Sequence, residues 1–203
     1  MDYKSFLRLA SSRRSVRRFA PRRLMHGQIE QLIEAACWAP SNHNRQGWKF
    51  VVLEDPQEIH MLAEQSRRAV KESLAESPRL AAAQADELVH FTGAFDQAPV
   101  VILVMHKKSL AIAKSMLSLA TSELASGEVL SAAMACQNLL LAAHAMGLGA
   151  CLMTAPLLAG EVWKSLDRLP VGFEPMCLIA LGHAAQIPVA PKRKKLEHVV
   201  EYR

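Results

Sequence analysis

The chain has 203 residues, 51% of them hydrophobic and 21% charged, with a formal net charge of +5. Those proportions fit one folded unit of ~100–200 residues and exclude wholesale disorder. The most apolar stretch, Val129 to Met153, is broken by Gln137, Asn138, His144 and two glycines, so it offers no clean membrane span of ~20 residues. The N-terminus shows no positive segment followed by an apolar one, and a cytoplasmic location is expected. Cys37, Cys136, Cys151 and Cys177 are far apart and form no CxxC pair, which argues against a zinc ribbon or disulfide scaffold. They read as buried thiols.

In chain order, residues 3–11 carry apolar positions at helical spacing, and an arginine-rich run then breaks the pattern. Residues 26–38 form an amphipathic helix, with Ile29, Leu32, Ile33, Ala36 and Cys37 on one face and Pro40 beyond its end. Pro40 to Gly47 is loop, and Lys49 to Glu54 a short buried strand. Residues 57–95 lack a β signal and read as two helices divided by Pro78, the most lid-like part of the chain. Pro99 to Met105 is a wholly apolar strand. Glu128 to Met146 is a long helix, apolar nearly all round, that belongs in a core or a subunit interface. Gly147-Leu148-Gly149 stops it, Ala150 to Met153 is extended, Leu157 to Leu166 is helical, and Glu174 to Leu181 is a last strand before a basic tail. Helices with single intervening strands mean α/β or α+β, with a sheet covered by helices.

Two stretches concentrate chemistry. Arg13-Arg14-Ser15-Val16-Arg17-Arg18-Phe19 sets four guanidiniums and a hydroxyl in seven residues. If the run is extended, Arg13, Ser15 and Arg17 share one face, while Arg14 and Arg18 point elsewhere. Planar guanidinium forks and a hydroxyl suit a doubly charged phosphate, although a solvated basic surface or a nucleic-acid patch explains the run equally well. The loop Ala39 to Trp48 gathers amides, a hydroxyl and an indole that could meet the edge of a flat heterocycle, and turn chemistry alone also accounts for them. Positive charge gathers at both ends: residues 1–45 hold nine Lys/Arg, and Lys192 to Lys195 form a second cluster. No Rossmann fingerprint, Walker A, HExxH or GxSxG pattern occurs, and the eight histidines show no metal-ligand spacing. Without an evident nucleophile or metal, the chemistry points to an organic cofactor.

Taken in order, RRSVRRF, APSNHNRQGWKF, GLGACLMTAP and LGHAAQIPVAPKRKKLEHVV resemble the nitroreductase family of FMN-dependent oxidoreductases over nearly the whole chain. The resemblance implies an α+β fold, a three-layer α/β/α sandwich in each subunit of an intertwined homodimer with exchanged C-terminal arms. Residues 1–203 would form a single FMN-binding domain, with 57–95 as a helical excursion and 184–203 as the arm. FMN would sit in the subunit interface, served by two copies of the chain. Arg13, Arg14 and Ser15 take the phosphate side by similarity, and Arg17 the N1/O2 end of the ring. Pro40, Ser41, Asn42 and Asn44 of the partner subunit line the ring's face and pyrimidine edge, and Arg193, with Lys192, closes on the phosphate. Leu152, Met153, Thr154 and Ala155 run along the ring, with the backbone N–H of Thr154 or Ala155 toward flavin N5.

The implied activity is ping-pong reduction of a small electron-poor acceptor, a nitroaromatic or quinone, by NADH or NADPH, with no metal, membrane or nucleic-acid partner. Rival readings are a flavin-fragmenting or dehalogenating enzyme of the same family, or a basic, non-catalytic binder of nucleotide or nucleic acid. Gly47 departs from the proline frequent in the family before the tryptophan, which should loosen that loop.

Overall fold

Strands β1 (Trp48–Leu53), β2 (Val100–Lys107), β3 (Gly149–Met153) and β4 (Phe173–Gly182) form one sheet in the order β1-β2-β4-β3. Every neighbouring pair is antiparallel. The computed structural model describes residues 2–76, 82–108, 127–167 and 169–203. Pro78, the expected divider of two helices, lies outside the described residues. The helices on either side of it are α3 (Pro56–Glu76) and α4 (Ala82–Thr92). The remaining helices are α1 (Tyr3–Ser12), α2 (His26–Cys37), α5 (Gly127–Ala145) and the short α6 (Gly160–Lys164).

Side-chain alternation divides the core between the two faces of the sheet. Val100, Ile102 and Val104 of β2, with Cys177, Ile179 and Leu181 of β4, pack with Leu32 and Ala36 of α2 and Ala135 and Leu139 of α5. Val101, Leu103 and Met105, with Leu178 and Ala180, pack on the other face with Ile59, Leu62 and Val70 of α3 and with Trp163 of α6. Strand β2 is buried on both faces, which is why its sequence is apolar without alternation. Each large side chain buried this way contributes about 1.5–3 kcal/mol. The ladder shifts register between Val104 and Met105, opposite Pro175, which has no N–H to donate to a regular ladder.

Two expectations, a continuous helix over 157–166 and four buried cysteines, need correction. The helix expected over 157–166 is a 3-10 turn, Ala155–Leu158, followed by α6, because Pro156 and Gly160 interrupt a continuous helix. The buried Trp163 indole locks that break by donating to the Pro156 carbonyl at 2.8 Å. Helix α5 buries Ala132, Ala135, Cys136, Leu139 and Ala143 in the core, while its apolar Leu130 and Met134 are exposed in a single chain. Of the four cysteines, Cys37 is exposed at the end of α2, and the other three are buried.

Candidate functional site

Helix α1 ends at Ser12, and Arg13 leaves it with ψ 134°. The chain then runs extended beside edge strand β3, with Ser15 bridged in parallel to Ala150 and the Val16 N–H donating to the Ala150 carbonyl at 3.0 Å. Farther on, Phe19 bridges Ala184, and the Ala185 N–H donates to the Arg18 carbonyl. Val16 is buried and fixes the register. Gly149 makes this approach feasible, because a Cβ there would lie 2.7 Å from Val16 Cγ1. Just upstream, α5 closes on Gly147, whose φ of 72° is the left-handed conformation that stops a helix. His144 in the last turn of α5 hydrogen-bonds Ser12 through Nε2 at 2.7 Å, so the turn also secures the start of the arginine run.

Arg13, Arg14, Ser15 and Arg17 line a cavity of about 370 Å³ with Pro188, Val189, Pro191 and Arg193. No carboxylate is among the lining residues. Arg13, Ser15 and Arg17 share the site as strand alternation requires. Arg14, expected to point elsewhere, joins them because its guanidinium folds back to donate to the Ser11 and Arg13 carbonyls, each at 2.8 Å. Arg193 comes from the same chain, so a single copy brings its two basic ends together, where contributions from two copies were expected. Lys192 is not among the lining residues.

The positive field reaches through the strand. Burial pushes the Cys151 thiol up, while the charges of Arg17 and Arg13 and a hydrogen bond with Ser15 oppose that rise. The guanidinium of Arg17 also lies over the ring of Phe91 in α4, 5.9 Å from its centroid.

The remaining candidate residues lie outside this cavity, in two places. Leu152 and Met153 end β3, with Leu152 roughly 7 Å along the strand from the Ala150 that bridges Ser15. Thr154 and Ala155 continue into the 3-10 turn, where the Thr154 carbonyl accepts the Leu157 N–H at 3.0 Å. One edge strand therefore carries both the arginine run and the 152–155 segment.

Pro40, Ser41, Asn42 and Asn44 belong to a tight loop seated on the N-terminal end of α5. The Asn42 N–H donates to Ser131 Oγ at 3.0 Å, and Arg45 pairs with Glu128 at 3.6 Å. Ser41 is used as a turn residue: its hydroxyl accepts the Gln46 N–H and its carbonyl the Asn44 N–H. His43, Asn44 and Gln46 are all left-handed, with φ of 48–53°, a conformation that costs non-glycine residues about 1 kcal/mol each. Gly47 is buried and its carbonyl accepts the Lys107 N–H at 2.8 Å, which ties the end of the loop to β2.

A larger cavity, about 720 Å³, lies between α3 and α4. It suits a phosphate less well, because Glu64 and Glu72 line it, and Arg67 is already taken up by Glu64, Asp96 and the Gly93 carbonyl. Sequence reasoning missed Phe91, Pro188, Val189 and Pro191. An aromatic in a weakly patterned helix gives no signal, and prolines in a tail favour an extended chain without saying what it meets.

Comparison with known proteins shows the family and the fold. The chain is 26% identical over 185 residues to a Methanothermobacter thermautotrophicus protein that carries the provisional name NADH dehydrogenase/NAD(P)H nitroreductase, covering 90% of this chain and 78% of that one. It is 29% identical over 211 residues to the iodotyrosine deiodinase of Haliscomenobacter hydrossis, covering 99% and 89%. Among solved structures, a BluB-like flavoprotein of Clostridium difficile 630 superposes with a TM-score of 0.83 at 24% identity, covering 100% and 99%. A nitroreductase with bound FMN from Desulfitobacterium hafniense DCB-2 superposes with a TM-score of 0.72 at 20% identity over the whole of both chains. The nitroreductase family model matches residues 10–183, from the end of α1 through the last strand, and the chain belongs to the nitroreductase family of flavoprotein oxidoreductases.

Proposed function

We propose that the protein is an FMN-dependent oxidoreductase that uses NADH or NADPH to reduce a small, electron-poor acceptor. The observation that carries this reading is the acid-free cavity lined by Arg13, Arg14, Arg17 and Arg193 together with Ser15. Four permanent cations and a hydroxyl match the charge and acceptor oxygens of a phosphate monoester, the anionic end of FMN. Lys192, next to Arg193 in sequence and outside the lining, would add long-range positive charge.

Leu152 and Met153 of β3 would hold the ring by apolar contact, and the backbone N–H of Thr154 or Ala155 would serve as the donor for its N5. The second wall is Pro40, Ser41, Asn42 and Asn44 of the partner subunit, in a homodimer with exchanged arms. FMN held there would supply the hydride-transfer chemistry that links nicotinamide oxidation to acceptor reduction in a ping-pong cycle. The chain holds the ring in place and sets the field around it: Arg17 brings positive charge to the end of the ring that becomes anionic on reduction.

The test is an absorbance spectrum with an FMN titration. Purified protein should be yellow, bind one FMN per chain and bleach anaerobically with NADH or NADPH. Colourless protein that gains no bound flavin on adding FMN overturns the reading. Similarity to an iodotyrosine deiodinase favours a second acceptor class, halogenated aromatics. Product analysis with a nitroaromatic and a halophenol separates the two.

A further inference from the structure

We infer that Phe91 is a positioning residue that holds Arg17 against the cofactor site, and so assigns a task to the helical excursion over 57–95. The inference rests on the flavin reading above. Among the described residues, no hydrogen bond or ion pair holds the Arg17 guanidinium, although Arg17 lines the anion cavity. Arg14 differs, since its guanidinium is fixed by two carbonyls. What Arg17 meets is the Phe91 ring, with its guanidinium carbon 5.9 Å from the centroid, within the range at which the negative face of an aromatic ring attracts a cation.

The ring is itself held. His90 packs against it edge-on at 5.5 Å. Leu88 and Val89, in the same turn, pack against the core face formed by α3 and the sheet. Directly after α4, Arg67 of α3 donates to the Gly93 carbonyl at 2.7 Å and pairs with Asp96 at 3.3 Å, while His60 Nδ1 meets the other Asp96 oxygen at 2.8 Å. This clasp ties the end of α4 to α3. Phe91 stands two residues before the clasped glycine, so its backbone has a defined position from which the ring meets the Arg17 guanidinium.

A double-mutant cycle on the full chain tests this, with FMN affinity read by flavin fluorescence quenching for wild type, Phe91→Ala, Phe91→Leu, Phe91→Trp, Arg17→Ala and the Phe91→Leu/Arg17→Ala pair. Loss of the aromatic face should weaken FMN binding about three- to fivefold in Phe91→Ala and Phe91→Leu. Phe91→Trp should keep wild-type affinity. In the Arg17→Ala background, Phe91→Leu should cost nothing further. Should Phe91→Ala fail to fold, the leucine variant, which keeps apolar bulk without a ring face, carries the test. Equal losses with and without Arg17, or no loss on removing the ring, overturn the inference. Wild-type protein that binds no FMN instead overturns the functional reading on which it rests.

Discussion

Arg13 and Arg18 stand five residues apart in the same run yet face different surroundings. Arg13 lines the acid-free cavity, whereas Arg18 is exposed and engages the tail through its carbonyl. Arg13→Ala should therefore weaken FMN binding by about 1.5–3 kcal/mol, roughly 10- to 150-fold, the scale of a lost charge-assisted hydrogen bond. Arg18→Ala should leave it near wild type, and flavin titration of both variants checks the contrast. A second residue-scale prediction concerns alkaline stability. Cys136 and Cys177 lie 3.6 Å apart, sulfur to sulfur, inside the core. The hydrogen bond that the protonated Cys177 thiol shares with Cys136, together with burial, holds Cys177 well above its ordinary value of 9.0. As pH rises past about 9 the unfolded thiol ionises while the folded one stays neutral, so this stabilisation is present below that pH and lost above it. Urea midpoints should fall between pH 8.5 and 10. Cys177→Ala should make that fall shallower at a cost of about 1 kcal/mol at neutral pH.

Between elements, the contact of the arginine run with β3 is the one on which the cavity depends. Gly149→Ala would drive a methyl against the branched Val16 side chain, which has little rotamer freedom to retreat. The variant should lose about 1–3 kcal/mol of stability. Its FMN affinity should fall as well, and adding Val16→Ala should restore part of both, measured by urea unfolding and flavin titration. At this scale the sequence was readable wherever burial imposes a period. The α2 face, the apolar β2 and the stop at Gly147 all follow from spacing and from one residue's conformational freedom. Strand order was not readable, because alternation says which side chains share a face but not which strand lies alongside. A continuous helix over 157–166 is suggested because Leu158, Val162 and Leu166 recur every four residues across a Pro156–Gly160 break that the Trp163 hydrogen bond stabilises. The same limit applies to the site: the arginine run announced itself by density, whereas the contact of Phe91 with Arg17 depends on tertiary placement that no local pattern encodes.

For the whole molecule, much apolar surface is left uncovered in a single chain. Tyr3, Phe6 and Leu7 of α1, Leu130 and Met134 of α5, and Val189, Leu196 and Tyr202 of the tail are all exposed. Exposed apolar surface on this scale marks a partner site, and the family reading supplies the partner as a second copy. The measured mass should therefore be twice 22.4 kDa, and the urea midpoint should rise with protein concentration. The tail has two proposed tasks, closing the phosphate cavity through Arg193 and covering the neighbouring subunit, and they can be separated. Deleting 184–203 should abolish both the dimer and tight FMN binding, since exposed apolar residues and Arg193 leave together. Replacing only Lys192 and Arg193 by alanine should keep the doubled mass while weakening FMN binding at least tenfold, because the apolar contacts remain and only phosphate charge is lost. A deletion variant that stays dimeric by light scattering would remove the exchanged arm from the proposal. The cavity chemistry, which one chain assembles from its own two ends, would remain.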